Sequence, residues 1–264
     1  MTRRLRIGFF DSGIGGLSVL RHAPSRIANA DYLYVADSAY APYGRQSEEL
    51  VRQRSHRIAD FLLAKPVDAI VIACNTATAL AAESIRAATD IPVVAMEPAL
   101  KPAMQCSANK KVAVLATATT LASERYRCLK QEHAFDGEVY ERACHHWVEA
   151  VEKGDLDDAQ LQALVDAELQ QLSVFGADTY ILACTHFPFL ARNIETGLGS
   201  GLRLIDPAAA VVEQLARRLD ISPPPAAPPG PPQLTVFSSQ DNQRTAQRIE
   251  DLLGWRLQVQ PLPL

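Results

Sequence analysis

Asp68-Ala-Ile-Val-Ile-Ala-Cys74 and Asp178-Thr-Tyr-Ile-Leu-Ala-Cys184 share one pattern: an aspartate, an apolar run of strand type and a terminal cysteine, with Leu80 and Leu190 following at the same spacing. An internal duplication explains the match. A single free cysteine is usually a small buried hydrophobe, but two at equivalent strand ends suggest chemistry. If the two halves face each other across a cleft, the two sulfurs can approach a shared ligand from opposite sides. In an open parallel sheet, ligands bind outside the carboxyl ends of the strands. A helix beginning there offers unpaired N–H groups and the positive end of its dipole, both of which favour thiolate. Each sulfur is therefore expected at a helix start.

Hydrogen-bonding groups suited to a carboxylate or an ammonium follow each cysteine: Asn75, Thr76 and Thr78 after the first, Thr185 and His186 after the second. Asp11-Ser12-Gly13-Ile14-Gly15-Gly16-Leu17 lets backbone approach a ligand before a helix begins. Its spacing is neither the dinucleotide fingerprint nor a phosphate loop. Thr117-Ala-Thr119-Thr120 is a second hydroxyl-rich strand end, and Pro42-Tyr43-Gly44 is a turn placed to close a cleft. A hydrolase dyad of Cys184 and His186 is disfavoured, because residues two apart at a helix start point in different directions. It also leaves Cys74 unexplained. A metal site of Cys74, Cys184 and His186 is conceivable from residue types alone. A two-lobed amino-acid binding protein would share the cleft loops but has no need of paired acid and base groups.

The elements that must position these residues follow from hydrophobic periodicity. Short β-branched runs alternate with stretches of helical period, the pattern of parallel strands joined by crossover helices. The first half predicts strands at Leu5 to Phe10, Tyr32 to Ala36, Ala69 to Ala73 and Pro92 to Ala95, with a helix over Ser47 to Ala64. The second half predicts strands at Val112 to Ala116, Glu138 to Ala143, Thr179 to Ala183 and Leu202 to Asp206, with a helix over Leu156 to Phe175. The fold class is α/β, with two doubly wound units. Residues 222–232, proline-rich, predict an extended surface connection. Leu234 to Phe237 and Asp241 to Leu253 predict a last strand and helix, too small to fold alone, that dock on an earlier sheet.

The chain has 264 residues, 48% hydrophobic and 21% charged, with a formal net charge of -4. This is an ordinary globular composition, with no excess of positive charge to neutralise phosphates, so the expected partner is a small molecule and not nucleic acid. The basic start is followed by too short an apolar run for a signal peptide, and no stretch is long enough to span a membrane. A cytoplasmic protein is expected. Its five cysteines contain no CxxC and are expected as thiols.

Asp11 to Leu17, Ala41-Pro-Tyr-Gly44, Ala73-Cys-Asn-Thr-Ala-Thr78, Thr117 to Tyr126, Val151-Glu-Lys-Gly154 and Ala183-Cys-Thr-His-Phe-Pro188, in this order, resemble the motifs of the glutamate racemases, members of the aspartate/glutamate racemase superfamily. The resemblance covers essentially the whole chain. It implies two α/β domains related by a pseudo-twofold, residues 1–97 with 207–264 and residues 98–206, with the active site in the cleft between them. It implies interconversion of L- and D-glutamate with no cofactor and no metal, supplying D-glutamate for peptidoglycan; an aspartate racemase is the alternative. Cys74 would be the base toward D-glutamate, assisted by Asp11, and Cys184 the base toward L-glutamate, assisted by His186 and Glu152. Asp11, Ser12, Tyr43, Gly44, Asn75, Thr76, Thr117, Thr120, Thr185 and His186 would bind substrate. A homodimer is compatible with the resemblance. The chain departs from the family at Cys144-His-His-Trp-Val-Glu-Ala150, where Cys-Pro and a further proline are common, and at Ala116, where glycine is usual.

Overall fold

The structure is a computed structural model that describes residues 3–134, 136–154, 159–223 and 233–264. The chain divides into two compact units, Met1–Met96 with Ala208–Leu264, and Glu97–Pro207. Both are α/β. Among the described residues no helix is long and apolar enough to cross a membrane.

The strands run in chain order as β1 Leu5–Asp11, β2 Ala30–Ala36, β3 Ala69–Ile72, β4 Val93–Ala95, β5 Lys111–Ala116, β6 Glu138–Ala143, β7 Thr179–Ala183, β8 Arg203–Ile205, β9 Gln233–Ser238 and β10 Val259–Pro261. The first unit holds one sheet in the order β10-β9-β2-β1-β3-β4, and the second holds β6-β5-β7-β8. Among the described residues every pairing is parallel. The order β2-β1-β3-β4 is repeated by β6-β5-β7-β8, so β3 and β7, the strands that lead to Cys74 and Cys184, are equivalent. In each unit the strand order reverses around β1 or β5. Crevices at the carboxyl edge of a doubly wound sheet form at such a reversal.

Ala69 to Ile72 and Thr179 to Ala183 are fully buried, as strands covered on both faces require; hence their unbroken apolar runs. The aspartate that opens each copy of the repeat is architectural. Asp68 Oδ2 accepts from the Arg6 N–H at 2.8 Å, and Asp178 accepts from Ser107 Oγ and the Ala108 and Asn109 N–H groups at 2.7, 2.7 and 3.0 Å. Burial opposes the charge on Asp178, but these donors outweigh it and bring its pKa down to about 2. Each carboxylate thus pins the amino end of the neighbouring strand, while the cysteine emerges at the other end.

The long helix of the first unit, Glu48–Leu63, is capped by Ser47, whose Oγ accepts from the Leu50 N–H, and carries Glu48 and Glu49 in its first turn. It buries Val51, Arg54, Ser55, Ile58, Ala59 and Leu62. The last strand expected from the sequence extends to Gln233–Ser238 and docks on β2, and the following helix spans Asn242–Leu253. Beyond it, β10 is a strand that the periodicity does not announce: three residues ending in proline at the sheet edge, where a missing N–H is tolerated. The helix expected over Leu156 to Phe175 is described as Ala159–Ser173. Of the proline-rich connection, residues 224–232 lie outside the described residues, as do residues 155–158.

Candidate active site

In the first unit, β1 ends at Asp11, whose buried carboxylate turns back on its own loop. Its Oδ2 accepts from the N–H groups of Gly13 and Gly16 at 3.3 and 3.0 Å. Gly16 is required there: a Cβ would stand 2.8 Å from Asp11 Cβ, 2.9 Å from Ala73 Cβ and 2.9 Å from Tyr34 Oη. The loop is thereby pressed against the strand end that carries Cys74. Ser12 is buried beside Asp11.

Cys74 caps the helix Asn75–Ala87, and the Ala77 N–H donates to its Sγ at 3.4 Å. A donor aimed at sulfur is worth more when the sulfur is charged. Both amide atoms of Asn75 are buried and have no hydrogen-bond partner among the described residues. A buried amide left unpaired costs about 1–3 kcal/mol, which a polar ligand group would recover. Thr76 and Thr78 are also buried, the latter donating to the Ile72 carbonyl at 3.4 Å. Tyr43 and Gly44 lie in the single turn Tyr43–Arg45, with the Tyr43 side chain in the same core cluster as Cys74.

In the second unit, Thr117 follows β5 and caps Ala118–Ala122: its Oγ1 accepts from the Thr120 N–H at 3.2 Å and lies 2.9 Å from Thr120 Oγ1. Cys184 follows β7, but no α-helix begins at it. The chain passes through a turn into the 3-10 segment Phe187–Leu190, and the α-helix starts only at Ala191. This corrects the expectation of a helix start at both sulfurs. It also corrects the expected divergence of Cys184 and His186. The turn folds the imidazole back so that Nδ1 is 3.8 Å from Cys184 Sγ and 3.4 Å from Thr185 Oγ1.

The other imidazole nitrogen, Nε2, lies 2.7 Å from Glu152 Oε1. Glu152 sits near the end of the helix His145–Lys153, which Gly154 stops in a left-handed conformation with φ 102°. His186 is buried, which opposes its protonation, but the Cys184 sulfur and the Glu152 carboxylate on either side prevail and raise its pKa well above the ordinary value. The arrangement is a proton-holding chain from sulfur through imidazole to a carboxylate that is 21% exposed.

Each half therefore gathers its own sequence-predicted residues: Asp11, Ser12, Tyr43, Gly44, Cys74, Asn75 and Thr76 in one, Thr117, Thr120, Glu152, Cys184, Thr185 and His186 in the other. Two features beside them escaped the sequence reading. Asp37, at the end of β2, forms a buried ion pair with Arg54, and Trp147 packs edge-on against Phe187 with ring centroids 5.0 Å apart, holding the Glu152 helix on the turn that carries His186. A charged residue on the buried face of an amphipathic helix was the available signal for Arg54. The aromatic contact had none.

Residues 18–215 match the family model described as Asp/Glu/Hydantoin racemase, and the chain belongs to that family. Among its relatives, the glutamate racemase of Pseudomonas aeruginosa is 46% identical over 214 residues, 81% of each protein. The glutamate racemase isoform RacE1 from Bacillus anthracis superposes with a TM-score of 0.88 at 28% identity, covering 98% of both chains. Escherichia coli glutamate racemase, solved with L-glutamate and an activator, superposes with a TM-score of 0.86 at 28% identity over 98% of both.

Proposed function

We propose that this protein is a glutamate racemase, interconverting L- and D-glutamate in the cytoplasm and supplying the D-enantiomer for peptidoglycan, with Cys74 and Cys184 as the two bases. The observation that carries the reading is the equivalence of the two cysteines: each follows the strand beside β1 or β5, where the strand order of its sheet reverses, and each sulfur has a polar neighbour, the Ala77 N–H at 3.4 Å from Cys74 and His186 Nδ1 at 3.8 Å from Cys184.

Cys74 as thiolate takes the α-proton of D-glutamate, and the electron pair of the C–H bond moves toward the α-carboxylate. The thiol of Cys184 then gives its proton to the opposite face. L-Glutamate leaves, with Cys74 as thiol and Cys184 as thiolate; the reverse reaction uses the same groups in exchanged states. The reading requires the two sulfurs to meet one α-carbon from opposite faces. A thiolate is a far weaker base than the carbanion, so preorganised donors must hold the developing enolate charge. Removing one such donor costs about 3–4 kcal/mol. The Asn75 amide and the first N–H groups of the helix Asn75–Ala87 are suited to that role, with Thr117, Thr120 and Thr185 holding the substrate's other polar groups.

On the Cys184 side, Glu152 holds His186 so that Nδ1 faces the sulfur. An imidazolium there balances the charge of a thiolate, or returns a proton to it between turnovers. On the Cys74 side the proposed assisting group is Asp11, which ends the neighbouring strand β1.

The test is circular dichroism of L-glutamate, D-glutamate and L-aspartate incubated with the purified protein. Loss of signal for both glutamate enantiomers, with aspartate unchanged, is the expected result. Racemisation of aspartate alone would move the reading to the aspartate racemases, and no change in any sample would refute it.

A further inference from the structure

The Cys74 side contains a buried ion pair that no proton transfer above employs. Asp37 is fully buried and Arg54 is 3% exposed. Arg54 Nη2 donates to Asp37 Oδ1 at 2.7 Å and Nε donates to Oδ2 at 2.9 Å, a two-pronged grip. Tyr43 Oη donates to Asp37 Oδ2 at 2.6 Å, and the Tyr40 ring covers the guanidinium at 4.3 Å. The Asp37 N–H donates to the Asp11 carbonyl at 3.1 Å. The array thus runs from Arg54 through Asp37 to Tyr43, in the core cluster that holds Cys74, and by the main chain to Asp11.

Two charges removed from water seldom add stability beyond what apolar side chains of equal volume would give. A fully satisfied buried network does fix one geometry. Tyr43 has a single phenolic proton, committed to Asp37. Burial, then the adjacent Asp37 carboxylate, raises its pKa, so the phenol keeps that proton. Its function here is to tether the turn Tyr43–Arg45.

We infer that Asp37 and Arg54 are positioning residues: by gripping the Tyr43 phenol they fix the Tyr43–Gly44 turn beside Cys74 and so set the affinity of the site for its amino acid. The inference rests on the racemase reading, and the wild-type assay above separates failure of that reading from failure of this one.

The experiment is a double-mutant cycle between the pair, replaced by apolar side chains as Asp37→Leu with Arg54→Met so that no acceptor remains for the phenol, and Tyr43→Phe, reading KM and kcat for glutamate. The pair variant is expected to fold, as its melting curve would show, and to lose about tenfold in kcat/KM, mainly through KM. In the Tyr43→Phe background the same change is expected to cost less than about threefold, because linked residues are not additive. A folded pair variant with wild-type KM, or losses that simply add, would overturn the inference. If the pair variant does not fold, Arg54→Lys decides: it keeps the charge and loses the fork. A raised KM supports the inference, and an unchanged one overturns it.

Discussion

The His186 imidazole is held at both nitrogens: Nε2 lies 2.7 Å from Glu152 Oε1, and Nδ1 lies 3.8 Å from Cys184 Sγ. A buried ring between a carboxylate and a sulfur can carry a proton toward either one. His186→Asn is expected to lower kcat by about 10²–10⁴, the range for a positioned acid–base group. Glu152→Gln should cost less, because the ring keeps its place in the turn. The two enantiomers have equal free energies in water, so kcat/KM must stay equal in both directions in every variant. Any asymmetry appears only in kcat and KM separately, and steady-state kinetics from each enantiomer measure it.

The same contact gives a pH dependence of stability. The folded-state pKa of His186 is raised well above its ordinary value of about 6.5. The stabilisation is therefore complete below the unfolded value and is lost as pH rises through the folded value. Melting temperatures of wild type and Glu152→Gln should differ most near pH 6 and converge as the solution becomes alkaline. A gap that widens with pH would contradict this sign.

Gly16→Ala should damage both fold and site. The added methyl meets Asp11 Cβ, Ala73 Cβ and Tyr34 Oη within 2.9 Å, so the loop or the strand end must shift. Overpacking of this kind costs about 1–3 kcal/mol. Urea denaturation should show that loss, together with a fall in racemisation larger than the fraction unfolded explains.

Trp147→Ala should cost about 3–5 kcal/mol, as large-to-small changes of a buried aromatic do. Trp147 is 1% exposed and contacts Phe187, next to His186. Trp147→Phe keeps an aromatic edge and should recover most of the stability in the same denaturation assay.

The strands nearest the site were legible because they are buried on both faces, which leaves unbroken runs such as Ala69 to Ile72 and Thr179 to Ala183. The duplicated ending in cysteine then pointed to the carboxyl edge of each sheet. What lay beyond Cys184 was not legible. The chain there passes into a turn and a 3-10 segment, with Phe187 packed against Trp147 from a distant part of the sequence, and this turn brings Nδ1 of His186 to the sulfur. Asp37 and Arg54 were missed for another reason: their contact spans a strand end and a helix face, and neither residue belongs to a motif. The edge strand Val259–Pro261 is too short for any period to register.

Hydrogen–deuterium exchange at the α-carbon, followed by NMR in heavy water with Cys74→Ser and Cys184→Ser, tests the central claim most directly. Cys184→Ser retains the base on the Cys74 side and should exchange D-glutamate faster than L-glutamate, while Cys74→Ser should show the opposite preference. Both variants exchanging the same enantiomer, or either one racemising at the wild-type rate, would contradict two cysteines acting from opposite faces.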